Sequence, residues 1–242
     1  MIKTSRLLFI VFLLTACALP VTPAPAATAS PSPVPPSPTV APSAPTATFV
    51  PSMRYFQNDF EREVTGWKTF TTSGEPGLFD LRVENGFWLF DLGGRDLRAF
   101  SLYPSETYKN VRLDLRLVNR SGTPYALNLI CRYSEREGWY QFEVFNSGAY
   151  NLYYFAWDEE SNAIPTLLAE GVSDAMRLDR QPNEIGVVCN GRDLSLYING
   201  QLARAYPENQ YVLREGWVGV GVASFDRLPI LVALDWLKVT LP

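Results

Sequence analysis

The chain contains no histidine. Its absence removes the Ser-His-Asp and Cys-His nucleophile arrangements and every metal site built on imidazole. Cysteine is scarce, three in 242 residues. Positive charge is in slight deficit: 21 Lys and Arg stand against 25 Asp and Glu, for a formal net charge of -4. Without the two charges of Lys3 and Arg6 the balance falls to -6, so neither a basic nucleic-acid patch nor a polybasic membrane surface is implied. Long hydrophobic runs are missing too, since Leu7 to Leu14 (LLFIVFLL) is too short to span a bilayer. There is no sustained 3.6-residue periodicity, which argues against a helical protein.

What is present falls into three parts. Met1 to Arg6 offers a short basic start, followed by the apolar run and then Leu14-Thr15-Ala16-Cys17. The order is that of an export signal. The last four residues resemble the lipobox of bacterial lipoproteins, which implies cleavage after residue 16 and lipid modification of Cys17. A lipoprotein cysteine carries the multiple acyl chains that stable anchoring requires. Ala18 to Ser52 is made almost wholly of Pro, Ala, Ser, Thr and Val, holds 11 of the 19 prolines and has no charged residue. Such a stretch has nothing with which to build a core, and as extended polyproline II it would reach ~100 Å. The expected organisation is a signal at 1–16, a lipidated disordered linker at 17–52 and one folded domain at 53–242. The expected location is extracytoplasmic, lipid-anchored to the bacterial cell membrane.

From Tyr55 onward the text becomes short alternating runs separated by Gly, Asn and Pro. Val111-Arg112-Leu113-Asp114-Leu115-Arg116-Leu117 alternates without a fault, one face apolar and the other charged. The pattern predicts strands near 55–60, 66–70, 79–83, 87–92, 97–102, 111–118, 125–133, 139–145, 150–157, 184–189, 194–198, 201–206, 216–223 and 230–241, with room for a short helix around Ser173 to Arg177. Asn85-Gly86, Asn190-Gly191 and Asn199-Gly200 are read as two-residue hairpin turns. Many strands with tight turns and almost no helix predict an all-β, two-sheet antiparallel jelly-roll sandwich. Leu127 to Val144 reads as its central hairpin. In Gly216-Trp217-Val218-Gly219-Val220-Gly221-Val222 the valines form one side and the glycines the other. This is a strand whose small side lets another layer approach, rather than a phosphate loop.

Several phrases, in order, resemble concanavalin A-like lectin/glucanase sandwich domains, particularly the 3-keto-disaccharide hydrolase-like and LamG-like branch. They are Phe56-Gln57-Asn58-Asp59-Phe60 before Gly66-Trp67, Leu129-Ile130-Cys131-Arg132-Tyr133, Trp139-Tyr140-Gln141-Phe142, Leu194-Ser195-Leu196-Tyr197-Ile198-Asn199-Gly200, Gly216-Trp217-Val218-Gly219-Val220 and Leu234-Asp235-Trp236. The resemblance spans Tyr55 to Val239 and implies the sandwich. For function it implies only a menu of lectins, glycosidases and adhesion modules.

Retaining glucanases of that superfamily carry a Glu-x-Asp-x-x-Glu type strand, because one carboxyl attacks while another ~5 Å away protonates the leaving oxygen. This chain has no such strand. Its acid clusters, Glu135-Arg136-Glu137 and Asp158-Glu159-Glu160, fall where turns are expected. The binding candidates come from the side of the central strands turned away from the core. They are Asn128, Arg132, Trp139, Gln141 and Glu143, joined by Tyr153 and Trp157 of the next strand. Aromatic rings among amide, carboxylate and guanidinium groups are what stacks on sugar rings and bonds their hydroxyls. The expected partners are a carbohydrate or cell-surface polymer, and the membrane through the lipid anchor, with no nucleic acid. A protein-interaction module and a glycoside hydrolase are the competing readings. No cofactor is expected, with calcium left open at Asp158, Asn162 and Asp226. Cys131 and Cys189 sit at apolar-facing positions of predicted strands in an oxidising compartment. They are expected to bridge neighbouring strands, with two buried thiols as the alternative.

Overall fold

The computed structural model describes residues 54–242. The signal segment, Cys17 and the linker through Ser52 lie outside the described residues, as does Met53. The described chain forms β1 (Phe56–Asn58), β2 (Lys68–Ser73), β3 (Phe79–Glu84), β4 (Phe87–Leu92), β5 (Arg98–Tyr108), β6 (Val111–Asn119), β7 (Ala126–Ser134) and β8 (Gly138–Phe145). It continues with β9 (Ala149–Trp157), β10 (Ala163–Val172), β11 (Asn183–Asn190), β12 (Asp193–Ile198), β13 (Gln201–Pro207), β14 (Gly216–Ala223) and β15 (Ile230–Thr240). One turn of 3-10 helix, Pro76–Leu78, joins β2 to β3.

Two antiparallel sheets result. The eight-stranded sheet runs β13-β12-β11-β6-β15-β4-β3, with β1 also pairing β15. The seven-stranded sheet runs β10-β9-β8-β7-β14-β5-β2. The expected all-β sandwich is what the chain forms, and Leu127 to Val144 is the β7–β8 hairpin at the middle of the smaller sheet. Alternation explains the assembly. Strand β6 buries every second residue and leaves those between partly exposed. Its inward leucines 113, 115 and 117 share one buried cluster with Leu127 and Leu129 of β7, Phe142 of β8 and Val218, Val220 and Val222 of β14. The outer side of the larger sheet is laced with ion pairs: Arg112 to Asp114 at 2.7 Å, Arg116 to Asp235 at 3.5 Å, and Arg82 to Asp80 at 2.6 Å. That is the ordinary dress of a solvated sheet face.

Two of the three Asn-Gly pairs turn as expected. Asn85 and Gly86 have φ of 52° and 74°, Asn199 and Gly200 of 49° and 79°. The third differs: Asn190 ends β11 paired with Asp193, so the turn is Gly191-Arg192. Strand β10 escapes the sequence reading because it is an exposed edge, interrupted by Pro165 and by a register shift between Leu167 and Ala169. An edge strand open to water needs no clean alternation. The stretch Ser173 to Arg177 is a turn rather than a helix.

The disulfide forms between Cys131 and Cys189. Its strands are not neighbours in one sheet, as expected, but β7 and β11 of opposite sheets, so the bridge crosses the core. With the cysteines 58 positions apart in sequence, closing that loop in the unfolded chain accounts for about 4 kcal/mol of stability. The double variant Cys131→Ala/Cys189→Ala should lose about that much in urea unfolding, and the native protein should offer neither thiol to an alkylating reagent. A double variant as stable as the parent would contradict the staple.

Candidate functional site

The side of the seven-stranded sheet turned away from the core is where the sequence places its candidates. Register decides who stands there. Leu127, Leu129 and Cys131 point into the core, so Asn128 and Ile130 point out, opposite Glu143 and Gln141 of β8. Across the next strand pair, Trp139 meets Phe155, Gln141 meets Tyr153 and Glu143 meets Asn151. On the other flank, Gly219 and Gly221 of β14 stand between β7 and the outward Leu102 and Phe100 of β5. A Cβ at Gly219 would come within 2.6 Å of Leu102 Cδ2, and one at Gly221 would collide with the Phe100 ring. The expected close layer is therefore these two side chains, lying flat over the glycines.

The outward face carries a second small core. Phe100, Leu102, Ile130, Tyr133 and Trp139 are buried there, with Phe70, Phe155, Trp157, Ala163 and Trp217 packed over them and partly exposed. The Phe155 ring lies parallel to the Trp139 indole, 4.7 Å between centroids and 5° between planes. Trp157 approaches the same indole at 4.9 Å, and Trp217 stacks on Tyr133 at 5.5 Å. Trp139 is in consequence 0% exposed. It is the foundation of an aromatic layer and not, as expected, a platform open to a ligand.

Beside the rings runs a polar row. Trp139 Nε1 donates to Gln141 Oε1 at 3.1 Å, and Gln141 Nε2 donates to Asn128 Oδ1 at 2.9 Å. Arg98 Nη1 donates to Glu143 Oε1 at 2.7 Å, while Asn151 Nδ2 donates to Glu143 Oε2 at 3.2 Å and to the Tyr153 hydroxyl at 3.0 Å. Asn128, Gln141 and Glu143 are all buried. Gln141 and Glu143 are held at both polar atoms, since a buried polar group without a partner costs ~1–3 kcal/mol, whereas Asn128 accepts at Oδ1 and its Nδ2 has no partner among the described residues. Tyr153, Asn151 and Arg98 form the accessible edge of the row. Burial first, and then the Glu143 carboxylate, hold the Tyr153 phenol above its ordinary pKa, so at physiological pH it is a neutral hydroxyl. The Trp157 indole NH is directed at the Ser134 carbonyl, 3.0 Å away, which orients that ring at the end of the hairpin.

Arg132 does not belong to this face. The β7–β8 register shifts after Cys131, and Arg132 takes a positive φ of 55°. Its guanidinium turns inward, 2% exposed, and donates to the carbonyls of Leu213 at 2.9 Å, Gly191 at 2.8 Å and Lys109 at 3.1 Å. It ties three loops together next to the disulfide. Of the seven sequence-derived candidates, six share the outer face, and only Tyr153 and Trp157 are partly exposed there. Phe70, Arg98 and Trp217 also reach that face, and the alternation in β2, β5 and β14 was the signal that could have found them. Asp158 is engaged in its own turn, accepting from the Asn162 backbone at 2.6 Å and its side-chain amide at 2.9 Å, and these bonds pull its pKa down. Among the described residues no group of three or more acidic or cysteine side chains is placed to hold a metal ion.

No protein-family model matches the chain, and no curated protein does. Solved structures do. A protein of unknown function with a galectin-like fold from Bacillus subtilis aligns with a TM-score of 0.59 at 11% identity, over 77% of this chain and 94% of that one. The Bacillus licheniformis β-glucanase aligns at 0.56 and 12% identity, over 78% and 98%. A prokaryotic β-1,3-1,4-glucanase (lichenase) derived from a mouse hindgut metagenome aligns at 0.54 and 9% identity, over 78% and 99%. At these identities the likeness is one of fold, and it bears out the concanavalin A-like sandwich that the sequence phrases resemble.

The two indoles of this face should separate in stability. Trp139→Ala removes a fully enclosed ring and should cost about 3–5 kcal/mol in denaturant unfolding. Trp157→Ala, at the partly exposed surface, should cost clearly less; equal losses would contradict the layered arrangement.

Proposed function

We propose that this chain is a lipid-anchored, extracytoplasmic protein whose sandwich binds carbohydrate or another cell-surface polymer without cleaving it. The observation that carries the reading is the outer face of the seven-stranded sheet. Partly exposed Phe155, Trp157 and Trp217 lie there on a buried aromatic layer, beside Tyr153, Asn151 and Arg98. Rings offer apolar surface to the C–H face of a sugar, and the adjacent donors and acceptors suit its hydroxyls. The buried amides and Trp139 act from beneath, holding the contact residues in place so that less side-chain freedom is lost on binding. The fold is shared with β-glucanases, which supports a glycan as the partner.

The non-cleaving part of the proposal rests on Glu143. Both of its oxygens are already engaged, by Arg98 and by Asn151. The next acid along the same row is Glu170, opposite Asn151 on the edge strand β10, two strand spacings away. That is about 10 Å between backbones. Glycosidases set two carboxyls against each other, ~5 Å apart in retaining enzymes and ~6.5–9.5 Å in inverting ones, whereas the residues opposite Glu143 on both adjacent strands are asparagines, Asn128 and Asn151.

The anchor part rests on the sequence of the export signal and Cys17. Replacing Cys17 with Ser should move the protein from the membrane to the soluble fraction, and unchanged partitioning would contradict the anchor. For the binding part, the purified chain should be retained on immobilised polysaccharide. Phe155→Ala and Trp157→Ala should each weaken retention by roughly tenfold while the fold persists. Capture of protein partners with no retention on any glycan would favour the adhesion reading. Reducing-sugar release lost in Glu143→Gln would overturn the non-cleaving one.

A further inference from the structure

At the far end from β10 and β13 the sandwich does not close. Edge strand β2 of the smaller sheet and edge strand β3 of the larger one face each other across a cleft of about 690 Å³. Its two walls are chemically unlike. The β3 wall presents Phe79, Leu81 and Val83, the inward residues of that strand, all only partly buried. The opposite wall presents hydroxyls: Thr69 and Thr71 of β2, and Ser101 of β5, which pairs with Thr69. Trp67 and Trp88 line the cleft as well, edge to face at 5.1 Å.

A sandwich edge built only to be packed would carry apolar residues on both walls. Here three hydroxyl groups replace them. Ser101 is 0% exposed, and its Oγ has no hydrogen-bond partner among the described residues. That hydroxyl is sealed behind the cleft wall, so the polar groups open to a ligand there are the hydroxyls of Thr69 and Thr71. The charge at the mouth is net acidic: Arg82 is held by Asp80, Glu84 and Asp91 at 2.6, 3.1 and 3.1 Å, and Glu63 adds a further carboxylate to the lining. No free cation among these lining residues invites an anionic ligand. An acyl chain would leave the hydroxyl wall unsatisfied.

We infer that this edge cleft is a second binding site, for a neutral saccharide unit whose C–H face lies on the β3 wall and the indoles while its hydroxyls bond Thr69 and Thr71. Its size falls within the ~300–1,000 Å³ usual for small-molecule sites. The inference stands on the cleft itself and does not rest on the outer aromatic face, which is turned away from the core.

The test is a titration of the full chain, 15N-labelled at the tryptophan indoles, with cellobiose, laminaribiose and maltose as probes. At least one of these disaccharides should shift the Trp67 indole NH resonance in a saturable way. Thr69→Val/Thr71→Val, which removes two hydroxyls and no packing volume of note, should weaken that response by roughly tenfold, at about 1 kcal/mol per lost bond. The unfolding midpoint should hold. Trp157→Ala, on the other face, should leave the Trp67 response unchanged, so failure of either site can be told from failure of the other. The inference is overturned if no probe moves the Trp67 resonance, if the double variant responds like the parent, or if palmitate occupies the cleft and the disaccharides do not.

Discussion

The middle of the seven-stranded sheet is buried on both of its sides, and the rest of the molecule follows from that constraint. Strand β7 buries eight of its nine residues, and β8 seven of its eight. One side is covered by the opposite sheet. The other is covered by side chains of the same sheet, folded down over Trp139, Ile130 and the two β14 glycines. A polar residue at such a position must find its partners within the protein. Hence the chain from Trp139 through Gln141 to Asn128, and the bracket of Arg98 and Asn151 around Glu143. The same pressure acts on Arg132, whose buried Nη1 and Nη2 donate to three loop carbonyls at the disulfide end while Nε has no partner among the described residues.

This construction distinguishes the two outer faces. On the larger sheet, charges pair with one another in water, an arrangement that contributes little to stability, and the rings of Tyr197 and Phe87 lie under the Arg112 and Arg120 guanidiniums. On the smaller sheet the surface is a layer of partly exposed rings resting on a stiff floor. A stiff floor matters for recognition because rings fixed before binding lose less freedom when a ligand arrives. The edge between β2 and β3 adds a different surface, one hydroxyl wall facing one apolar wall.

Much of the architecture is legible in the chain because period-2 alternation follows directly from the pleat. The central hairpin, the core-facing cysteines and the small side of β14 can all be read this way. The partners of Cys131 and Cys189 can be named, but alternation does not say which sheet a strand joins, so the core-crossing geometry is not readable. For the same reason alternation assigns Trp139 to the outer face without revealing that Phe155 and Trp157 will cover it. Arg132 is misassigned because the register shift after Cys131 breaks the period at that residue. Strand β10 is missed because an exposed edge with Pro165 buries only Ala169, too little to impose a pattern. The cleft depends on two edge strands meeting in space, and nothing local encodes that. The lipobox reading of Cys17 rests on sequence alone.

The six tryptophans divide among these surfaces: Trp157 and Trp217 on the ringed face, Trp139 beneath it, Trp67 and Trp88 at the cleft, and Trp236 on strand β15 of the larger sheet. Indole NMR during titration with a polysaccharide that retains the protein therefore reads out the ligand's position directly. Glycan recognition by the outer face predicts that the Trp157 and Trp217 resonances move together and saturate while Trp236 stays still. A response confined to Trp236, or a bound polymer that leaves Trp157 and Trp217 unmoved, would contradict it.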